Sequence, residues 1–313
     1  MESIFLSFKS VFPLLAFFVA GVIIKRLGII TDEGSASINR LVFKVFLPIN
    51  IILNIYDSEI SEIFDLRLAL FTAATGIITF IIISAIVNKK EKDKTIAPVM
   101  IQGIHKANYG LLVVPIATSF YGSNIGMAAA LLIIVSPIMN TCSTIAFERA
   151  RGGSSASLPH LLKKIITNPM VLSSIIGILL NASGITIPDF IADDIIGKLS
   201  SMATPLAMIA IGADFNLKSL PKWKSRLLIV CVGRLLIIPL LLVPIAVALG
   251  IRNANLIAAL VHCGGPTAVN SYSTAVALGG NKELAGEIVA ITSLLSIFTL
   301  FIFLSVLGSL GYL

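Results

Sequence analysis

Long apolar blocks separated by short polar gaps divide the chain, and this pattern constrains its fold more than any other feature. Each block is long enough to cross a hydrocarbon layer about 30 Å thick, because a helix rises about 1.5 Å per residue. The mean hydropathy is +0.99 and only 12% of the 313 residues are charged. We therefore predict an all-α polytopic membrane protein. The ten predicted spans are residues 4–24, 38–56, 66–87, 95–120, 124–147, 165–183, 190–213, 225–250, 254–278 and 283–309.

The gaps between the blocks are too short to hold a separate soluble domain. The longest, Glu148 to Lys164, has 17 residues and a Gly-Gly-Ser-Ser core. The three cysteines all lie in apolar blocks, which indicates neither a disulfide framework nor a zinc site. The chain contains no H-E-x-x-H motif and no two aspartates at depth in facing spans. We predict neither an enzyme nor a metal or cofactor site.

The positive charges indicate how the spans are oriented. Of 23 Lys and Arg residues, 16 fall in alternate loops, four fall on the opposite side and three lie inside spans. By the positive-inside rule this bias places the odd-numbered loops in the cytoplasm. The prediction is a multi-pass cell-membrane protein with both termini outside. Topology thus explains the net charge of +7, and no nucleic-acid partner is needed.

An offset of 157 residues superimposes the first half of the chain, 1–156, on the second, 157–313. The matched pairs are Pro48 with Pro205, Asp57 with Asp214, His105 with His262, Gly122 with Gly279, Asn124 with Asn281 and Ser136 with Ser293. Each half holds five spans, so the two halves insert with opposite orientation. Inverted repeats of this kind are typical of secondary transporters, whose binding sites lie near the midplane where discontinuous helices meet.

Spans 4 and 9 are interrupted at equivalent positions, between His105 and Pro115 and between His262 and Ser273. Glycine and proline weaken a helix, and the freed backbone groups must line a cavity or be buried in protein. The N-termini of half-helices attract anions. The predicted substrate-binding residues are Lys106, Asn108, Tyr109, Gly110, Gly265, Pro266, Thr267, Asn270 and Ser271. The predicted helix-break positions are Pro115, Gly264, Pro48 and Pro205.

The motifs around these interruptions resemble those of the auxin efflux carrier family, over the whole chain. The family pattern Asn-x-Gly-x-x-Gly-x-Pro is matched by Asn108, Gly110 and Pro115, whereas Val113 replaces the middle glycine. Ala107 stands where plant members have proline. Further family-like residues are Phe46-Leu47-Pro48, Thr204-Pro205-Leu206, Gly212, Pro266 and Asn270.

The resemblance implies a fold and a class of substrate. It implies ten helices in two inverted five-helix repeats, with helices 4 and 9 broken and crossing at the midplane as in sodium–proton antiporters and bile-acid symporters. It also implies a scaffold of helices 1, 2, 6 and 7 and a transport domain of helices 3–5 and 8–10. Substrates across the family are organic anions, including indole-3-acetate, malate and malonate.

Charged and titratable side chains inside the spans are the remaining candidates, because a charge at the bilayer centre costs at least ~2.5–3.5 kcal/mol. We expect Lys106 to hold an anionic substrate. Arg234 either faces the same cavity or snorkels towards the cytoplasm. His105 and His262 either carry coupling protons or are neutral core residues. Asp214, at a span end, is either a solvated carboxylate or a supporting charge.

These features predict a secondary transporter or uniporter that moves a small organic anion by elevator-type alternating access. A sodium-coupled symporter of the bile-acid type and a transporter-like ligand sensor are the alternatives. Coupling to protons, to sodium or to no ion stays open at this point, as does a homodimer. The lipid bilayer and the anion are the predicted partners.

Overall fold

Helices make up almost all of the described structure. The computed structural model describes residues 2–57, 65–121, 131–152, 163, 166–215 and 220–313. Within these residues the chain is helical apart from short connections and one isolated antiparallel residue pair. Gly122 and Asn124, two members of the predicted repeat, lie outside the described residues, as does most of the loop from Glu148 to Lys164.

Seven helices lie in the described residues of the first half of the chain. They are α1 (Glu2–Arg26), α2 (Asp32–Leu41), α3 (Leu47–Tyr56), α4 (Leu66–Lys90), α5 (Ala97–His105), α6 (Tyr109–Tyr121) and α7 (Leu132–Gly152), with a π-helical turn at Val42–Phe46 between α2 and α3. Lys25, Arg26, Lys89 and Lys90 lie in the last turns of α1 and α4, where cations complement the helix dipole.

The second half contributes the remaining helices. They are α8 (Pro169–Ser183), α9 (Asp189–Ile191), α10 (Lys198–Ser201), α11 (Ala203–Asp214), α12 (Leu220–Val232), α13 (Ile238–Ala248), α14 (Asn253–Gly264), α15 (Asn270–Ala277) and α16 (Lys282–Ser309), with π-helical turns at Ala192–Gly197 and Gly233–Ile237. Asn281 caps α16, because its side chain accepts from the backbone N–H of Leu284 at 2.9 Å.

Within the part of the chain that the structure describes, five continuous helical runs are long and apolar enough to cross a membrane. They are Asp32–Tyr56, Leu66–Lys90, Ala192–Asp214, Pro221–Ala248 and Lys282–Ser309. Large apolar side chains on these runs, such as Leu70, Ile81 and Leu241, are more than half exposed. A surface of this kind suits lipid. The all-α membrane fold predicted from the apolar blocks is confirmed at this level.

Pro48 and Pro205, predicted as helix breaks, do not end a helix. Each lies in the first turn of a helix, directly after a short stretch of non-α-helical backbone. Pro48 is the second residue of α3, directly after the π-helical turn, where Leu47 N–H donates to the carbonyl of Val42. The wider turn accommodates a residue that lacks an amide hydrogen and would crowd the preceding turn. Pro205 lies in the first turn of α11, which begins after a turn at Met202.

The packing of the helices surrounds the interrupted segments with buried side chains. Helix α1 packs along α11, and α3 packs along α8. Helix α14 lies against α6 and α13, and every residue from Leu256 to Gly264 is buried. The two interruptions, between α5 and α6 and between α14 and α15, therefore lie inside the protein.

Candidate functional site

The two interrupted helices are joined to each other where they lose their helical structure. Helix α5 ends at His105 and α6 begins at Tyr109, while α14 ends at Gly264 and α15 begins at Asn270. Ala107 and Thr267 form an antiparallel pair. Across it, Asn108 N–H donates to the Pro266 carbonyl at 2.8 Å and Ala268 N–H donates to the Lys106 carbonyl at 3.0 Å. Two of the backbone N–H groups and two of the carbonyls freed by the breaks are thus satisfied by the other segment.

Pro115 plays no part in this interruption. Helix α6 runs through it from Tyr109 to Tyr121, so the break lies before the helix that contains the proline. A proline removes one intrahelical hydrogen bond and kinks a helix, which is less than is needed to end it. Gly264, by contrast, is the last residue of α14.

Thr267, which the sequence predicts as a substrate ligand, has structural partners on both sides. Its hydroxyl donates to the carbonyl of Gly103 at 2.7 Å, and its backbone N–H donates to the hydroxyl of Thr292 at 3.1 Å. The residue is fully buried. Its hydrogen bonds tie the second extended segment to α5 and to α16.

Arg234 binds the ends of both interrupted helices. Its guanidinium donates to the carbonyls of His262 and Gly265, each at 2.7 Å, and to those of Ile104 and His105, each at 3.3 Å. The side chain is 1% exposed. The sequence offers Arg234 as a possible coupling or supporting charge that faces the cavity or snorkels to the cytoplasm. The structure instead surrounds the guanidinium with the last carbonyls of α5 and α14, and Arg234 is not among the residues that line the cavity described below.

A cavity of about 200 Å³ lies on the other side of the two extended segments. Four of the predicted substrate-binding residues line it: Lys106, Asn108, Tyr109 and Asn270. Leu47 and Thr204 line it from the helices that carry Pro48 and Pro205, and α7 completes the wall. The cavity therefore lies at the N-terminal ends of α6 and α15, where the helix dipole favours an anion.

Lys106 is the charged residue of this cavity. It is 3% exposed, and its Nζ atom has no hydrogen-bond partner among the described residues. None of the described residues that line the cavity is acidic. A buried ammonium is costly unless a counter-charge or several hydrogen bonds compensate it.

Three further side-chain amides, which sequence reasoning missed, line the cavity. Asn54 donates to Asn50 at 3.1 Å, and Asn50 donates to the hydroxyl of Ser200 at 3.0 Å. Asn140 donates to Ser136 and Ser174 at 3.2 and 3.3 Å, and its Oδ1 atom has no partner in the described structure. The available signal was an asparagine pair at i and i+4 in span 2, together with an asparagine in span 5.

The two symmetric histidines have different surroundings. The ring of His105 lies 5.4 Å from the ring of Phe80, and neither of its nitrogens has a partner among the described residues. The Nε2 atom of His262 lies 3.2 Å from the hydroxyl of Thr75. Neither histidine lines the cavity.

Asp214 belongs to a buried network remote from the cavity, in place of the solvated carboxylate that one interpretation predicts. The hydroxyl of Tyr272 donates to Asp214 in a short hydrogen bond and accepts from Asn39 at 3.2 Å. Ser273 donates to Asn39 at 3.3 Å, and Lys282 Nζ lies 3.7 Å from the carboxylate. The network joins α2, α11, α15 and α16.

The other predicted ligands lie around the extended segments. Gly110 is the second residue of α6. The carbonyls of Gly265 and Pro266 accept the bonds given above, and the buried hydroxyl of Ser271 has no partner within the described ranges. No group of three or more His, Cys, Asp or Glu residues that could hold a metal occurs in the part of the chain that was searched, the described residues.

Comparison with known proteins places this arrangement in a family. The sequence model described as "Membrane transport protein" matches residues 6–304, nearly the whole chain. The chain belongs to this membrane transport protein family, the auxin efflux carrier-like family that its motifs predict. It is also 26% identical, over 94% of its length and 96% of the relative's, to an uncharacterized transporter of Methanothermobacter thermautotrophicus. The protein is thus a multi-pass membrane protein of a transporter family, and not an enzyme.

Proposed function

We propose that the protein is a secondary transporter or uniporter for a small organic anion, such as a carboxylate, which binds in the cavity between the extended segments. The observation that carries the proposal is the buried Lys106 ammonium, which has no partner among the described residues and lines a cavity whose described lining contains no acidic side chain. A carboxylate supplies the missing counter-charge, and charge-assisted hydrogen bonds are about twice as strong as neutral ones.

The polarity of the surrounding backbone supports an anion over a cation. The cavity is lined by residues at the starts of α6 and α15, the positive ends of those helices, whereas the negative ends of α5 and α14 meet at Arg234. Asn108 and Asn270 contribute an amide each to the same wall. In our proposal these amides orient the carboxylate that Lys106 binds.

Elevator-type movement is the second part of the proposal. In each half of the chain the helical segment that corresponds to the fourth predicted span is interrupted, which supports two inverted five-helix repeats. The cavity lies between Asn50, Asn54 and Thr204, from the proposed scaffold, and Lys106, Asn108 and Asn270, from the proposed transport domain. A ligand at such a boundary becomes exposed to the opposite side of the membrane when one set of helices slides along the other.

A two-stage experiment tests the proposal. Purified protein is first heated with acetate, malonate, malate or indole-3-acetate, with the corresponding neutral amides as matched controls. A ligand that binds only the folded protein raises its Tm by mass action. We expect at least one carboxylate, and none of the amides, to raise the Tm. That carboxylate is then tested for uptake into proteoliposomes. Equal shifts with acids and amides contradict an anion site, and binding without uptake supports a ligand sensor instead.

A further inference from the structure

The carbonyl groups around Arg234 have the composition of a cation site. Helices α5 and α14 both end there, and a helix C-terminus carries unpaired carbonyls and about half a negative charge. Carbonyls of unwound helices are the ligands with which many secondary transporters bind coupling ions. In this protein a guanidinium occupies the position, with donor–acceptor distances of 2.7 to 3.3 Å to four carbonyls.

We propose that Arg234 is a positioning residue whose guanidinium permanently occupies the cation position between the C-terminal ends of α5 and α14, as a fixed cation. Ligand binding then requires no free sodium ion. The single charge of the guanidinium matches the sum of the two half-charges. The inference deepens the proposed function and rests on it for the existence of a ligand. The other part of the inference, that an arginine occupies the carbonyl cluster at the two helix ends, does not depend on a ligand.

Close packing holds the guanidinium in place. Arg234 lies in the π-helical turn Gly233–Ile237, a distortion that often occurs at functional positions. A Cβ atom added to Gly264 would lie 2.9 Å from Cβ of Pro239, and one added to Gly233 would lie 3.3 Å from Ile104. Both glycines therefore allow the helix ends to pack closely against the helical run that carries Arg234, whose side chain is 1% exposed.

The surroundings contain no rival for this role. The titratable side chains at or next to the four carbonyls in sequence are His105, Lys106, His262 and Cys263, none of which is acidic. Among the described residues no group of three His, Cys, Asp or Glu side chains is placed to hold a metal ion. Sodium would need oxygen ligands, and the four carbonyls that offer them already accept from Arg234.

The first experiment measures the Tm of the wild-type protein in sodium, lithium, potassium and choline chloride at equal ionic strength. Choline is too large to enter a carbonyl cluster. We expect the same Tm in all four salts, and the same Tm shift by a bound carboxylate in sodium as in choline. A Tm or a carboxylate affinity that rises specifically with sodium overturns the inference.

The second experiment removes the guanidinium from the four carbonyls. Arg234→Ser leaves buried carbonyls unpaired, so we expect it to lower the Tm in choline chloride by roughly 5 °C or more. In sodium or lithium chloride, where a small cation can bind these carbonyls, we expect part of the lost Tm to return. Arg252→Ser is the matched control, since Arg252 donates to the carbonyls of Val247 and Ile251 at 2.6 and 2.8 Å, at the opposite end of α14 from the interruption. We expect its Tm to be the same in every salt.

A conservative variant keeps the test decisive if Arg234→Ser does not fold. Arg234→Lys restores the positive charge, so we expect it to fold with a Tm that is independent of sodium. An Arg234→Ser protein that is equally unstable in all salts, or an Arg234→Lys protein that needs sodium, overturns the fixed-cation role. If no carboxylate binds but the salt pattern is as expected, the substrate proposal fails and the fixed cation stands.

Discussion

The two sides of the interrupted helices differ in how completely their polar groups are satisfied. On the side of the helix C-termini, Arg234 donates to four carbonyls. On the side of the N-termini, Lys106 Nζ, Asn108 Nδ2 and Asn270 Oδ1 are buried without a partner among the described residues. Unpaired buried groups are rare in folded proteins. The comparison teaches that Arg234 satisfies the backbone carbonyls on one side, whereas the unpaired side chains on the other side are those that our proposal assigns to a ligand.

The largest effect on ligand affinity is expected from Lys106→Met. The loss of a charge-assisted hydrogen bond costs about 1.5–3 kcal/mol, so the affinity for a bound carboxylate falls by roughly 10- to 150-fold. The Tm without ligand rises, because the substitution removes a buried charge that has no partner within the described structure. Thermal shift with and without carboxylate measures both quantities.

Lys44→Met is the matched control for this variant. Lys44 is also a lysine within a predicted span, but it is exposed and does not line the cavity. We expect the carboxylate affinity of Lys44→Met to equal that of the wild type. If Lys106→Met binds the carboxylate as tightly as the wild type, or has a lower Tm without ligand, then Lys106 is not an unpaired charge that binds the carboxylate.

Gly264→Ala tests the packing on the side of the helix C-termini. The new Cβ would lie 2.9 Å from Cβ of Pro239, so α14 and α13 must move apart and the stability falls by about 1–3 kcal/mol. Gly308→Ala, in α16, is the control, because nothing lies within 4 Å of its added Cβ. Alanine there stabilises the helix by about 0.5–1 kcal/mol. Chemical unfolding of both variants measures the difference, and equal stability would mean that the close approach at Gly264 is unimportant.

The sequence predicted the interruptions and part of the cavity because the signals there are local. Gly264, Gly265 and Pro266 weaken a helix wherever they occur, and an asparagine such as Asn108 or Asn270 is costly in a lipid-facing span. Such residues mark a site without any knowledge of its neighbours. The membrane fold was predictable for the same reason, since the length and hydropathy of a span are properties of one segment.

The partners of side chains were not predictable, because they come from distant parts of the chain. Arg234 binds carbonyls of residues 28 to 130 positions away, and backbone carbonyls carry no sequence signal. Asn50 and Asn140 reach the cavity from helices that only tertiary packing brings together. Pro115 shows the converse, since a strong local signal for a break is overridden within a continuous helix.

Tyr272→Phe extends the comparison to the network around Asp214. The variant deprives Asp214 of its hydroxyl donor and Asn39 of its acceptor, so we expect a loss of roughly 1–2 kcal/mol in stability. Carboxylate affinity should stay unchanged, because neither Tyr272 nor Asp214 lines the cavity. Tyr56→Phe is the control, since the Tyr56 hydroxyl bonds backbone groups at an exposed position. A weakened carboxylate affinity in Tyr272→Phe would place this network among the ligand-binding parts of the protein.

The smallest effect on stability is expected from Glu91→Gln. This variant removes the carboxylate that binds Arg226, a second arginine of the helical run that carries Arg234. Arg226 donates to Glu91 at 2.7 Å near the helix end, and the two side chains are 34% and 15% exposed. Burial acts to raise the pKa of Glu91, but the hydrogen bond and charge of Arg226, together with the hydrogen bond from the Asp93 backbone N–H, hold the pKa below its ordinary 4.5. Because the pair is partly exposed, we expect Glu91→Gln to cost less than about 1 kcal/mol.

The pH dependence of this loss is its distinguishing mark. A carboxylate whose folded pKa is lowered stabilises the protein above its unfolded pKa, and the stabilisation disappears as the pH falls through the folded pKa. The Tm difference between wild type and Glu91→Gln is therefore constant from pH 7 to about 5.5 and shrinks below the ordinary value of 4.5. Glu283→Gln is the control, since its contact with Lys222 is longer, at 3.6 Å, and more exposed, and it should change the Tm less at every pH. A difference that persists at low pH would show that Glu91 acts through packing and not through its charge, unlike the guanidinium of Arg234.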